Sequence, residues 1–146
     1  MLDRDVISAL NELIETCRDG ENGFAFAAKA SSDPILIRMF IAAERSHRDA
    51  TVELQDSVRL LGGYAGDSGS LKAAAHRGWL RLQNALSARD NSRILEEREK
   101  AEDYTKMRYA EAMELNLPEG ARALLERQYQ IVAANCDSLR ELRDRS

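Results

Sequence analysis

Very little in this 146-residue chain would break or staple a backbone: it has two prolines, eight glycines and two cysteines. Cys17 and Cys136 stand far apart and outside any CxxC spacing, and in a cytosolic chain they are expected to be reduced rather than paired. On helical stretches each reads as a small apolar packing side chain. No apolar run approaches the roughly 20 residues that a membrane span needs. The opening MLDRDVISALNELIE carries acids where a signal peptide has bare positive charge. A net charge of −4 and a pI near 5.3 argue against a surface that tracks phosphates. There is no Walker loop, no glycine-rich dinucleotide turn and no Ser–His–Asp arrangement. The remainder is 44% hydrophobic and 32% charged. That composition suits one domain that buries roughly two thirds of its unfolded surface. The expectation is a cytoplasmic protein with neither nucleic acid nor membrane as partner.

The few punctuating residues divide the chain into segments of helical period. Over residues 3 to 31, Val6, Leu10, Leu13, Cys17, Phe24 and Ala28 recur at steps of three, four and seven, with Gly20 and Gly23 as points of bending. Ser32, Asp33 and Pro34 stop this helix and start the next, a capping side chain followed by proline at the first helical position. The second helix runs to about Leu61 and ends at Gly62–Gly63. After the loop 62–70 a shorter helix is expected over 71–87, then a polar turn with Asp90 or Asn91 as cap. A helix over about 92–116 and another over about 119–144 follow, separated at Leu117–Pro118, because a residue before proline is pushed out of helical geometry. The fold class is therefore all-α. Two antiparallel hairpins joined by a long crossover with its own short helix describe a ferritin-like four-helix bundle.

The middle of each apolar stripe is polar. Helix one reads Leu13, Cys17, Glu21, Phe24, and helix two reads Phe40, Glu44, His47, Thr51. The helix over 92–116 reads Leu95, Glu99, Glu102, Thr105, Tyr109. The last reads Leu124, Gln128, Val132, Asn135, Leu139, with Gln128 and Asn135 expected to bond to the inward glutamates or to each other's neighbours. Glu21 lies about as far before the first turn as Glu44 and His47 lie after it, so a hairpin brings these three to one height. A buried carboxylate without a partner costs several kcal/mol, so such a cluster calls for a metal, a proton, an arginine or water. Glu44 and His47, three apart on one face, suit a metal, with Glu21, Glu102 and the extra acid Glu99 completing the shell. The reading favoured over that one is a hydrogen-bonded pair with Arg45, Arg48 or water as partner. A full dinuclear carboxylate site asks for a second Glu-x-x-His pair, and this chain has none.

The segments DGENGF (19–24), DSGSLKAAAHRGWLRL (67–82), ILEEREKAEDY (94–104) and ERQYQIVAANCDSLRELRD (126–144) resemble a bacterial family, domain of unknown function 2383, over nearly the whole chain. Its most specific marks are HRGW at 76–79 and RQY at 127–129. The resemblance implies membership of the ferritin-like superfamily and carries no biochemical activity with it. Rubrerythrin-like di-iron proteins are similar more distantly, through Gly20–Glu21, the Glu44/His47 pair and Glu102–Asp103–Tyr104. The family pattern places a histidine where this chain has Cys136, a departure that weakens any metal site drawing on the last helix. Within HRGW, His76 is expected to fix its helix through a hydrogen bond and Trp79 to cover one end of the bundle.

Two functional expectations follow. The first is a bacterial bundle with a structural or interaction role, not an enzyme, connected by superfamily analogy to stress adaptation, and able to self-associate. The second is a bundle binding iron, zinc or another divalent metal through Glu21, Glu44, His47 and Glu102, with at most residual di-iron-type oxidase chemistry.

Overall fold

The computed structural model describes residues 3–65 and 90–145. They form four helices, α1 (Arg4–Ala30), α2 (Pro34–Leu60), α3 (Asn91–Ala112) and α4 (Glu119–Arg145), and no strand occurs among the described residues. The short helix expected over 71–87, with His76 and Trp79, lies outside them.

Each of the first three helices opens on an aspartate that takes up an orphan backbone donor. Asp3 accepts from the N–H of Val6 at 3.2 Å, Asp33 from Ile35 at 2.9 Å and Asp90 from Ser92 at 2.9 Å. Pro34, at the first position of α2, needs no partner there. α2 stops where Gly62 turns to φ 83°, a left-handed conformation that favours glycine. The Gly63 N–H then closes back on the Val58 carbonyl at 3.0 Å. α1 continues through Gly20 and Gly23 as one helix.

α3 ends at Ala112, several residues before the expected position. The reason lies in α4, whose Arg122 donates to the carbonyls of Met113 at 3.3 Å and Leu115 at 2.8 Å. With those carbonyls satisfied by a side chain, the chain can leave helical geometry early. Proline located the turn but not the last helical residue.

α1 packs along α2 over the greatest extent, α3 lies against α1 and α4, and α2 touches α4 more sparsely than these. Cys17 meets Tyr109 and Gly23 meets Arg98 between α1 and α3. Ala50 meets Gln128 and Ser46 meets Asn135 between α2 and α4. Numbers rise on one helix as they fall on its neighbour, so these pairs are antiparallel. α2 and α3 therefore run the same way across the diagonal.

The apolar interior comes in two parts. One gathers Val6, Leu10, Leu13, Ile14, Leu54, Val58, Tyr109 and Leu125, with both cysteines. The other gathers Phe24, Ala27, Leu36, Phe40, Ala43, Ile94, Leu95 and Leu139. Each large side chain taken fully from water contributes about 1.5–3 kcal/mol. Between the two parts lies a polar layer formed by His47, Glu102 and their neighbours.

Candidate functional site

The layer is built around one contact. His47 on α2 and Glu102 on α3 face each other across the diagonal, 2% and 1% exposed, and the ring N–H at Nε2 donates to both carboxylate oxygens, at 2.9 and 3.0 Å. Asn135 on α4 donates to Oε2 of the same carboxylate at 3.1 Å. The imidazole stacks on Phe24, with ring centroids 5.6 Å apart. Its opposite support is the backbone of α1 at Gly20, where a Cβ would fall 2.8 Å from the ring. One turn further along α1, Gly23 leaves room for the buried guanidinium of Arg98, which also lies over the Phe24 ring at 5.3 Å. The two glycines of DGENGF are thus the cradle for a ring and a guanidinium.

A second chain of hydrogen bonds adjoins the first. Gln128 donates to the Ala50 carbonyl at 3.3 Å and to Glu53 at 3.2 Å, which aims its own oxygen at Tyr109. The Tyr109 hydroxyl donates to that oxygen at 2.7 Å. Its only hydrogen is then committed, so Cys17, whose sulfur is 3.2 Å from the hydroxyl, is left as donor to it.

Burial works against a charge on His47, but the facing Glu102 carboxylate and a hydrogen bond with Cys17 outweigh it and raise the group from 6.5 to about 10. The imidazole is therefore a cation at neutral pH. Burial pushes Tyr109 up, reinforced by Cys17. Burial, then the carboxylates of Glu102 and Asp103, push Cys136 up to about 12. All three groups hold their proton more tightly folded than unfolded. The stability this supplies is complete below the unfolded values, near 6.5 for histidine, and is lost as pH rises through the folded ones. Melting followed from pH 6 to 10.5 should accordingly fall steadily, by up to about 1.4 kcal/mol per pH unit for each proton of difference. A His47→Gln variant should flatten the portion below pH 9; an unchanged slope there would show that His47 does not hold the extra proton.

Of the four acids and bases singled out in the sequence, the structure brings Glu102 and His47 together. Glu21 and Glu44 meet at the same height, but on the flank. Both accept from Arg48, at 3.0 and 2.7 Å, and all three are partly exposed. Glu99 is buried and accepts from Arg143 at 2.7 Å. As arranged, Nε2 of His47 and both oxygens of Glu102 are engaged with each other. Among the described residues no three His, Cys, Asp or Glu side chains are placed to hold a metal ion. Sequence reasoning offered Arg48 as a partner, which the structure gives to Glu44 and Glu21, but it missed Arg98 and the glycine cradle. Arg98 had a signal, since it follows Ile94 and precedes Glu102 by four, but the run EEREKAED reads as a solvated face.

The layer opens on two sides. A cavity of about 490 Å³ between α2 and α4 has Cys17, His47, Tyr109 and Gln128 among its lining residues, with Val52, Glu53, Arg127, Ile131 and Val132. A groove of about 500 Å³ between α1 and α3 reaches Glu102 past Asp19, Gly20, Tyr104 and Arg108. No described helix is long and apolar enough to cross a membrane.

No curated protein matches the chain. The family model for a domain of unknown function, number 2383, matches residues 5–115. The match takes in α1, α2 and α3 with Gly20, His47 and Glu102. It ends before the ERQYQ segment of α4, so the resemblance is narrower than the near-complete span expected from sequence. A match over most of the chain, carrying both halves of the buried pair, places this protein in the domain of unknown function 2383 family.

Proposed function

We propose that the chain is a ferritin-like bundle whose interior acids are neutralised by cations of its own, and that it serves a structural or interaction role in a bacterial cytoplasm, with stress adaptation as the setting suggested by superfamily analogy. The observation that carries this reading is the engagement of both Glu102 oxygens by His47 and Asn135. Glu21 and Glu44 share Arg48 in the same way. The position that a divalent cation takes in a carboxylate bundle is met here by an imidazolium and a guanidinium.

Elemental analysis of protein purified without chelator tests the reading, together with melting curves in the presence of iron(II), manganese(II) or zinc(II). The expected result is far less than one metal per chain and unmoved melting. Stoichiometric metal that disappears in Glu44→Ala combined with His47→Ala would replace this reading with that of a metal-binding bundle using Glu21, Glu44, His47 and Glu102. Light scattering on the same preparation separates a lone module from a homo-oligomer.

A further inference from the structure

α2 turns Leu36, Phe40, His47, Leu54 and Val58 into the core. At 3.6 residues per turn, the side directly opposite carries Arg38, Arg45, Asp49, Val52 and Asp56, with Ala42 at its edge, and all six are exposed. Within one helix an acid four residues before a base makes the better pair, and here Arg45 comes four before Asp49. Arg38 and Arg45 form no ion pair among the described residues, whereas the neighbouring Arg48 is taken by Glu21 and Glu44. Asp56 bonds only the exposed Arg59, at 3.2 Å. The order along the face is symmetric in polarity and opposite in charge about position 47. Arg38 and Asp56 lie nine residues to either side of it, Ala42 and Val52 five, Arg45 and Asp49 two. A second α2 laid end over end at that level would set each arginine against an aspartate.

We propose that this outer face of α2 is where two copies of the chain associate, antiparallel about a two-fold axis level with His47. The inference rests on the interaction role proposed above and names the partner. Metal content decides that role and association state decides this contact, so the two can fail separately. An interface of this symmetry uses one patch twice. Arg38 meets Asp56 of the second copy, Arg45 meets its Asp49 and Val52 meets its Ala42, each contact occurring two times. Ala42 is small enough to let the two backbones approach, with ion pairs on both sides of the apolar contacts. The charges also select the arrangement. Parallel pairing in register would set Arg38 on Arg38 and Asp56 on Asp56, and like charges across an interface repel. A slip of one helical turn either way would set Arg45 on Arg45 or Asp49 on Asp49, so the wrong registers are opposed as well. From Arg38 to Asp56 the helix measures about 27 Å. A contact of that length is at the small end of specific interfaces, so a dissociation constant of micromolar order is expected.

Sedimentation equilibrium of the full-length chain, from about 1 μM to about 1 mM, tests the contact. The average mass should rise with concentration from one chain to two. Arg38→Glu with Arg45→Glu, and separately Asp49→Arg with Asp56→Arg, should each raise the dissociation constant at least about tenfold, since each brings like charges together at four places. An equal mixture of these two variants pairs an all-acidic face with an all-basic one, and should associate to within about threefold of the unaltered chain. All four positions are exposed, so the melting temperatures should scarcely move. Should a variant not fold, salt decides: going from about 50 to about 500 mM sodium chloride should weaken the unaltered dimer at least about fivefold. A chain that stays single at the highest concentration, a dimer that neither reversal nor salt weakens, or two reversals that do not rescue each other on mixing would overturn the proposal.

Discussion

Glu102→Ala is expected to destabilise the folded chain by about 3–5 kcal/mol, because it leaves an imidazolium in the core without its anion. His47 is almost fully enclosed, with Phe24 on one face and the α1 backbone on the other. Its opening toward water is the α2–α4 cavity that it helps to line, and among the described residues no other carboxylate is bonded to it. Its remaining choice is to shed its proton, which forfeits the stability that the raised folded value represents. For a domain of this size the loss lowers the urea midpoint by about 2 M, taking a slope of about 2 kcal/mol per molar. Two comparisons separate this from a general loss of packing. Glu44→Ala removes an acid that is partly exposed and shares an exposed arginine, so its effect should be small and should shrink further with salt. His47→Leu combined with Glu102→Leu removes both charges together, and should recover most of what Glu102→Leu alone loses. If Glu102→Ala moves the midpoint no more than Glu44→Ala does, the diagonal pair does not hold the core together.

The contrast between Glu102 and Glu44 also marks where sequence reading reaches its limit. On α3 the period carried through without a slip: Leu95, Glu99, Glu102, Thr105 and Tyr109 are all buried. Here every inward position, apolar or polar, has a side chain to count. On α1 the stripe was continued from Cys17 to Glu21 to Phe24, while the line that faces the neighbouring helices runs through Gly20, against His47, and the buried Gly23, against Arg98. A glycine contributes nothing to an apolar count. The period therefore steps past it to the next side chain, although that vacancy is where the ring from α2 lies. On α2 the same one-position slip exchanged Ala43 for Glu44. Both errors turn a residue by about 100° around its helix, enough to move a carboxylate from the seam to the flank.

Heights fared better than faces. Glu21 and Glu44 do lie level, as equal distances from the hairpin turn require, and Arg48 bonding to both confirms it. Which cation each acid would take was not readable, since that depends on the offset between helices that are not consecutive. His47 and Glu102 are 55 positions apart, on helices that face each other across the diagonal. Nothing local in either segment specifies the other. Asn135 follows the same logic: its inward, polar character was evident, and its bond to Glu102 is one of the outcomes that character allowed.

Gly20→Ala gives the sharpest test of this local geometry, because two physical effects predict opposite signs. Helix propensity alone favours alanine over glycine in a helix interior by about 1 kcal/mol, and Gly20 lies well inside α1. Against this, the new methyl carbon would stand 2.8 Å from both Cε1 and Nδ1 of His47 and 3.0 Å from Nε2. Those three atoms belong to one rigid ring, stacked on Phe24 and tied at Nε2 to Glu102. The ring cannot fold aside as a flexible chain end would, so relief requires shifting α2 away from α1 or lengthening the bond to Glu102. Overpacking of this kind costs about 1–3 kcal/mol, and here it acts on the contact that joins the two parts of the core. The net result should be a lower melting temperature, with reduced pH dependence above pH 7 as the ion pair loosens. Gly120→Ala is the matched control, since nothing lies within 4 Å of its added carbon. That variant should melt at the same temperature or slightly higher. If both substitutions raise the melting temperature, the imidazole does not rest on the α1 backbone, and the glycine in front of Glu21 needs another explanation.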